Sequence, residues 1–280
     1  FHEELGTIGD KVRRIRRISD QLAVKLGIAA DAADSVSRAA DICKFDLVTQ
    51  MVYEFPELQG VMGEDYARKA GEKEEVAKAV FEHYQPRFAG DAVPSTQVGS
   101  IISIADKIDT ITGCFSIGII PTGSQDPYAL RRQAQGIVQI ILEHKLPITL
   151  SDVFGIALDV HENIRALKRS AGEIRKDLQE FFGLRVKKLL SENQRYDVVD
   201  AVISAGFDSV VSVVNRGQAL MHAVESAEDF KTTVESLNRV SNLAAKAGKA
   251  AVNRELFTES AEGELYEAWQ AIRNDYEAAL

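Results

Sequence analysis

Apolar residues recur along this chain at steps of three and four. Val12, Ile15, Ile18, Leu22 and Leu26 lie on one face of a 3.6-residue helix. That spacing predicts a helix over about 3–27, stopped at Gly27. Asp31 is placed to cap a second helix, which runs to about Tyr53 and is halted by Pro56. A third spans about 72–84 and ends near Pro86. Behind Pro94, Ser95 opens a long helix that is apolar on all sides, so it should be buried among several neighbours. Asp126-Pro127 reads as a cap followed by Pro at the first helical position, starting a helix that runs to about Lys145 before Pro147. Further helices are predicted at about 151–168, 171–190, 195–204, 207–224, 226–247 and 258–280, with Ser226/Asp229 and Thr258/Glu262 as starting signals. Strand signals are weak. The prediction is an all-α chain of two helical domains, 1–146 and 147–280, divided between Leu146 and Ser151.

Length agrees with that division, since 280 residues correspond to two domains at about 100–200 residues each. A hydrophobic content of 45% with 27% charged residues excludes disordered, collagen-like and mucin-like chains. Thirty-three basic residues against 42 acidic ones exclude a globally basic nucleic-acid binder, but not a locally basic one. Residues 165–195 hold nine basic side chains, namely Arg165, Lys168, Arg169, Arg175, Lys176, Arg185, Lys187, Lys188 and Arg195, against four acidic ones. Lys11, Arg13, Arg14, Arg16 and Arg17 form a second cluster, with Arg13, Arg16 and Arg17 facing away from the apolar stripe. Such patches either contact phosphates or are solvated helix faces. Cys43 and Cys114 read as core thiols and suit a reducing, cytoplasmic setting. No apolar run approaches the ~18–20 residues of a membrane helix, and no signal-peptide pattern opens the chain. A start at Phe1 rather than Met suggests a piece of a longer chain.

Most catalytic patterns fail. His2, His83, His144, His161 and His222 match no zinc spacing, and neither a phosphate-binding glycine loop nor a GxSxG elbow is present. Asp106 and Asp109 lie three residues apart on one helix face, with His83 upstream. Two carboxylates and a histidine suit a divalent cation for phosphoester hydrolysis. The arrangement resembles the latter half of the HD-domain metallophosphohydrolase pattern. That pattern needs a His-Asp pair, which occurs nowhere here; Lys44 and Asp46 stand in the corresponding helix. A lysine ammonium donates and does not accept, and it repels a cation. The expectation is no metal, with Lys44 paired to an Asp in a degenerate HD site; an active HD-type phosphohydrolase is the alternative.

Three blocks carry a stronger resemblance: EFPELQGVMGEDYA (54–67), ADKIDTITGCFSIGIIPTGSQDPYALRRQAQGIVQII (105–141) and RYDVVDAVISAG (195–206). Together they resemble the beta subunit of bacterial heterotetrameric glycyl-tRNA synthetase, in order and over essentially the whole chain. The resemblance implies a degenerate HD-like domain followed by a helical-bundle anticodon-binding (DALR-like) domain. It also implies a larger N-terminal part of the beta subunit and a short C-terminal segment beyond this stretch. The complete enzyme joins glycine to tRNA(Gly) with ATP and Mg2+, as two alpha and two beta subunits. Adenylate chemistry lies in the alpha subunit and the beta subunit grips the tRNA, so the fragment should hold no cofactor and no catalytic residue. Neither DNA nor a membrane is an implied partner.

With that resemblance in view, Arg131 and Arg132 are either phosphate-reading forks or partners of Asp126 and the ADKID carboxylates. Arg195, Arg216, Asn238, Arg239 and Asn242 are candidate readers of unpaired anticodon bases, with Asn238 and Asn242 on one face. Arg185, Lys187 and Lys188, together with Arg13 and Arg17, become candidate backbone contacts. Phe207, Tyr196 and Trp269 are read as core residues rather than base-stacking platforms.

Overall fold

A computed structural model describes residues 2–164, 167–226, 228–245 and 252–279. Among the described residues there are thirteen α-helices and no strand. They are α1 (Ile8–Lys25), α2 (Ala30–Ile42), α3 (Gln50–Glu54), α4 (Val61–Lys69), α5 (Glu74–Glu82), α6 (Gln97–Ser116) and α7 (Leu130–Glu143), then α8 (Leu150–Ile164), α9 (Ala171–Ser191), α10 (Tyr196–Ser204), α11 (Val210–Ser226), α12 (Phe230–Ala244) and α13 (Ser260–Ala279). The chain divides into two compact units, 1–222 and 223–280. The boundary expected at 146–151 lies inside the first unit, where α8 packs on both α1 and α6.

The first unit is built around α6. Val98 to Ser116 are all buried, as expected of a helix apolar on every side. Helices α1, α5, α7 and α8 surround it. Ile15, Ile18 and Leu22 of α1 are fully shielded, and Phe154 of α8 meets Phe182 of α9 edge to face at 4.9 Å. Both cysteines are buried, and burial pushes their thiols up to about 12 for Cys43 and about 11 for Cys114.

Helix ends differ from the sequence expectation wherever a side chain found a better partner. Helix α1 starts at Ile8 because Thr7 and Asp10 form a reciprocal capping box. Asp31 does not cap α2; it pairs with Lys73 at 2.7 Å. The helix predicted through Tyr53 breaks after Ile42, where Phe45–Val48 is a 3-10 turn and Asp46 turns inward to accept the Gly60 N–H at 2.7 Å. Helix α4, not predicted separately, follows Gly60, whose φ of 83° suits glycine. Thr96 rather than Ser95 caps α6. Helix α7 begins at Leu130, three residues beyond Pro127; Asp126 still caps it, accepting the Leu130 and Arg131 N–H groups at 2.7 and 3.0 Å. In the second unit α12 and α13 have few shielded side chains, and Leu237, Val240, Leu243, Leu265 and Ile272 are exposed. The predicted helix over 226–247 is α12, with residues 227, 246 and 247 outside the described residues.

Candidate nucleic-acid interface and the buried ion-pair centre

Asp106 and Asp109 do share a face of α6, and that face points to the N-terminal half of α1. Lys44 donates to Asp106 Oδ2 at 2.7 Å, the pairing expected from the lysine in the metal-ligand position. Lys11 reaches both carboxylates, at 2.8 Å to Asp106 and 3.1 Å to Asp109. Arg14 clamps Asp109 through Nε and Nη2 at 2.6 and 3.2 Å, and His161 Nε2 lies 3.0 Å from Asp109 Oδ1. Burial opposes ionisation of both carboxyls, but the cations around them outweigh it and hold both well below the usual carboxylate range.

His83 packs beside this centre without completing a ligand set. Its Nδ1 faces the Val80 carbonyl at 2.7 Å, while Nε2 stands 4.0 Å from Asp106 Oδ2. Burial, then the charge of Lys44, pushes the imidazole well below its ordinary pKa, so it is neutral near pH 7. Asp46 is committed to the Gly60 amide. The donor set does not fit a divalent cation: Lys44 Nζ sits on Asp106, and Asp109 is surrounded by Lys11, Arg14 and His161. Lys11, Arg14 and His161 were missed as members of this centre. Lys11 and Arg14 lie beside the apolar stripe of α1, and charges there, facing the core with Ile15 and Ile18, were the signal.

Above Asp106 the structure opens into a cleft of about 510 Å³ between α1, α6, the 84–87 segment and the start of α7. Arg132 stands at its rim, exposed. Arg131, at the start of α7, is near enough to Arg185 on the neighbouring α9 for its charge to be felt there. The Arg185 guanidinium stacks on Phe181 at 4.5 Å and donates to the Phe181 carbonyl at 3.1 Å. Its pKa is pulled below the ordinary arginine value by burial and by the Arg131 charge, which the charge of Asp126 only partly offsets. Neither arginine has an ion-pair partner among the described residues.

The remaining candidates separate into committed and uncommitted side chains. Arg13 pairs with Asp10, Lys187 with Asp200 at 2.6 Å and Arg195 with Asp197 at 2.7 Å, all near the surface. Lys168 pairs with Glu4, and Arg169 is held by Asp177 at 2.6 Å and the Phe115 carbonyl at 3.2 Å. Arg216 closes the C-terminal end of α10, donating to the Ala205 carbonyl at 3.5 Å and to that of Gly206. Arg17 and Lys188 are exposed, as are Asn238, Arg239 and Asn242 along α12 in the second unit. Arg165 lies outside the described residues. Phe207 packs against the core as expected, but Tyr196 is 82% exposed and Trp269 45% exposed.

Fold and centre thus define an all-helical scaffold whose buried carboxylates are neutralised by its own cations, with arginines left at the surface. Comparison with known proteins is more specific. The glycyl-tRNA synthetase beta subunit family matches residues 1–204, and the chain belongs to that family. Among similar proteins named glycine–tRNA ligase beta subunit, that of Halalkalibacterium halodurans is 50% identical, over 100% of this chain and 40% of its own length. That of Shouchella clausii is 48% identical over 96% of this chain and 39% of its own. The Desulforamulus reducens protein is 47% identical over 95% and 38%. The chain therefore spans about 40% of the length of the curated relatives it matches. Among the described residues, no helix is long and apolar enough to cross a membrane.

Proposed function

We propose that this chain is a tRNA-binding portion of a glycine–tRNA ligase beta subunit, working in the cytoplasm with the rest of that subunit and an alpha subunit in a heterotetramer. In this reading region 1–146 is the degenerate HD-like part and 147–280 the anticodon-binding part. The complete enzyme attaches glycine to tRNA(Gly) with ATP and Mg2+, and adenylate chemistry belongs to the alpha subunit. What this chain contributes is grip and recognition. The observation that carries the RNA contact is the Arg185 guanidinium on α9, which lies over the Phe181 ring at 4.5 Å and has no ion-pair partner among the described residues, with the Arg131 charge of the neighbouring α7 acting on it. Positive charge left without a carboxylate is met by an external anion, and a phosphodiester supplies one. Lys188 and Arg17 would extend the same sequence-independent contact, while Arg239, Asn238 and Asn242 on α12 would read unpaired bases.

The alternative, an HD-type metal-dependent phosphohydrolase, is opposed by the chemistry of the donor set, in which Lys44 occupies Asp106 and three basic side chains surround Asp109.

The test is binding of the chain to tRNA(Gly) and to the same tRNA with its anticodon bases replaced, at two salt concentrations. Arg185→Ala should weaken both RNAs alike and flatten the salt dependence, whereas Arg239→Ala should reduce the preference for the natural anticodon. The Arg195–Asp197 pair is exposed and screened by solvent, so Arg195 is available to RNA, and Arg195→Ala should also weaken binding. Unchanged affinity in all three variants overturns the assignment of these surfaces.

A further inference from the structure

The cleft above Asp106 carries more positive charge than the protein itself neutralises. Five basic side chains line it: Lys11, Lys44, Arg87, Lys107 and Arg132. Only two carboxylates do so, Asp106 and Glu57, and Asp106 is already engaged by Lys11 and Lys44. The other three have neutral partners or none. Lys107, 5% exposed, donates to the His83 and Gln85 carbonyls at 3.2 and 2.8 Å and to Ser103 Oγ at 2.7 Å, and burial pulls its amine down to about 7, so it is only partly charged near neutral pH and gains its proton fully beside an anion. Arg87 Nη2 reaches the Gln59 carbonyl at 3.3 Å, and its buried Nε has no hydrogen-bond partner. Arg132 has no ion pair among the described residues.

A buried or half-buried cation without a counter-charge is costly, and protein interiors normally pair such groups. Here the pairing is complete beneath the cleft, while half-buried Arg87 keeps an unpartnered Nε and Arg132 stands exposed at the rim, so the cleft presents guanidinium groups to an incoming anion with no carboxylate paired to them. A free volume of about 510 Å³ exceeds what one tetrahedral anion needs and falls in the usual range for small-molecule sites. Tyr128 also lines the cleft beside the basic side chains, as does Tyr84, whose ring already carries the Lys44 ammonium at 4.0 Å. We propose that this cleft binds a nucleotide, with its phosphate held by Arg87, Lys107 and Arg132. Residues that would exclude a metal ion thereby admit an anion. No bond is made or broken: Asp106 and Asp109 are held by cations and no nucleophile is poised. Because this proposal concerns the cleft and not the Arg131–Arg185 surface or α12, it stands apart from the tRNA reading.

A nucleotide can arrive free or as a unit of an RNA chain, and two probes separate these sources. Calorimetric titration of the chain with adenosine 5′-monophosphate tests the free form, and a five-nucleotide single-stranded RNA tests the chain form. Arg87→Ala and Arg132→Ala should each weaken binding about tenfold, the size of a lost charge-assisted hydrogen bond to phosphate. Lys69→Ala, an exposed lysine on α4 paired to Asp65, should leave it within about twofold. Saturable binding of the mononucleotide assigns a free ligand, and binding of the oligonucleotide alone places the phosphate in an RNA strand. Absence of saturable binding by both probes at millimolar concentration overturns the proposal, and so does equal weakening in all three variants. Retained tRNA(Gly) binding alongside such a failure would leave the tRNA reading standing.

Discussion

At the residue scale, the decisive group is Asp109. It is fully buried and shared by Arg14, Lys11 and His161. A buried ion pair adds little over a well-packed apolar replacement, but removing one partner strands the others. Asp109→Asn should therefore cost about 3–5 kcal/mol in urea unfolding at pH 7. The same carboxyl sets a pH dependence. Its folded pKa is held below the unfolded value, so its contribution is fully present above about pH 4 and fades as the pH falls through and below that value. Stability of the parent chain should drop steeply on acidification, and the Asp109→Asn substitution should remove that part of the slope. A parallel acid response in both proteins would mean that the centre is not the acid-sensitive element. Part of this was legible in the sequence. Lys44 in place of a metal ligand predicted an ion pair with an aspartate, and Asp106 is that partner. The other cations were not predicted, because nothing local places His161 of α8 against α6.

At the element scale, helix starts were decided by which polar group reached the free N–H groups first. The long buried helix shows this best. Glu82, at the end of α5, accepts from the Ser95 N–H and hydroxyl at 2.9 and 2.7 Å and from the Thr96 N–H at 3.2 Å, closing the entry to α6. A carboxylate at that helix end also meets its positive dipole. Gly99 is needed because a Cβ there would collide with Glu82 Oε2. Gly99→Ala should destabilise the fold by about 1–3 kcal/mol, read as a shift in denaturation midpoint. A neutral or stabilising result, as expected of alanine in an open helix interior, would show that the cap gives way easily. The cap was invisible to a reading of Ser95 and Thr96 alone, since its acceptor lies 13 residues upstream. Asp126 was legible as a cap, although the helix it serves starts later than Pro127 suggests.

At the scale of the whole molecule, the first unit is one cooperative core, because α8 and α9 complete the burial of helices that precede residue 146. Phe154→Ala should cost about 3–5 kcal/mol, and the loss should appear as faster amide exchange in α1 and α6 as well as in α8 and α9. Exchange confined to α8 and α9 would instead favour separate folding on either side of 146–151. The second unit differs in kind: α12 and α13 keep apolar side chains such as Leu237 and Leu265 largely exposed.

The amino-acid sequence by itself determined the all-helical class, the burial of α6 and the family. Each of these depends on periodicity or on contiguous motifs, which are written along the chain. It also pointed to an ion pair between Lys44 and an aspartate. Only the tertiary structure decided that Lys11, Arg14 and His161 join that centre and that α7 brings the Arg131 charge near Arg185 of α9. It likewise decided that Arg87, Lys107 and Arg132 line one cleft with no carboxylate ion-paired to them among the described residues. The members of the centre lie some 50 to 100 positions apart, and a charge's partner in a folded chain is set by packing rather than by its neighbours in sequence.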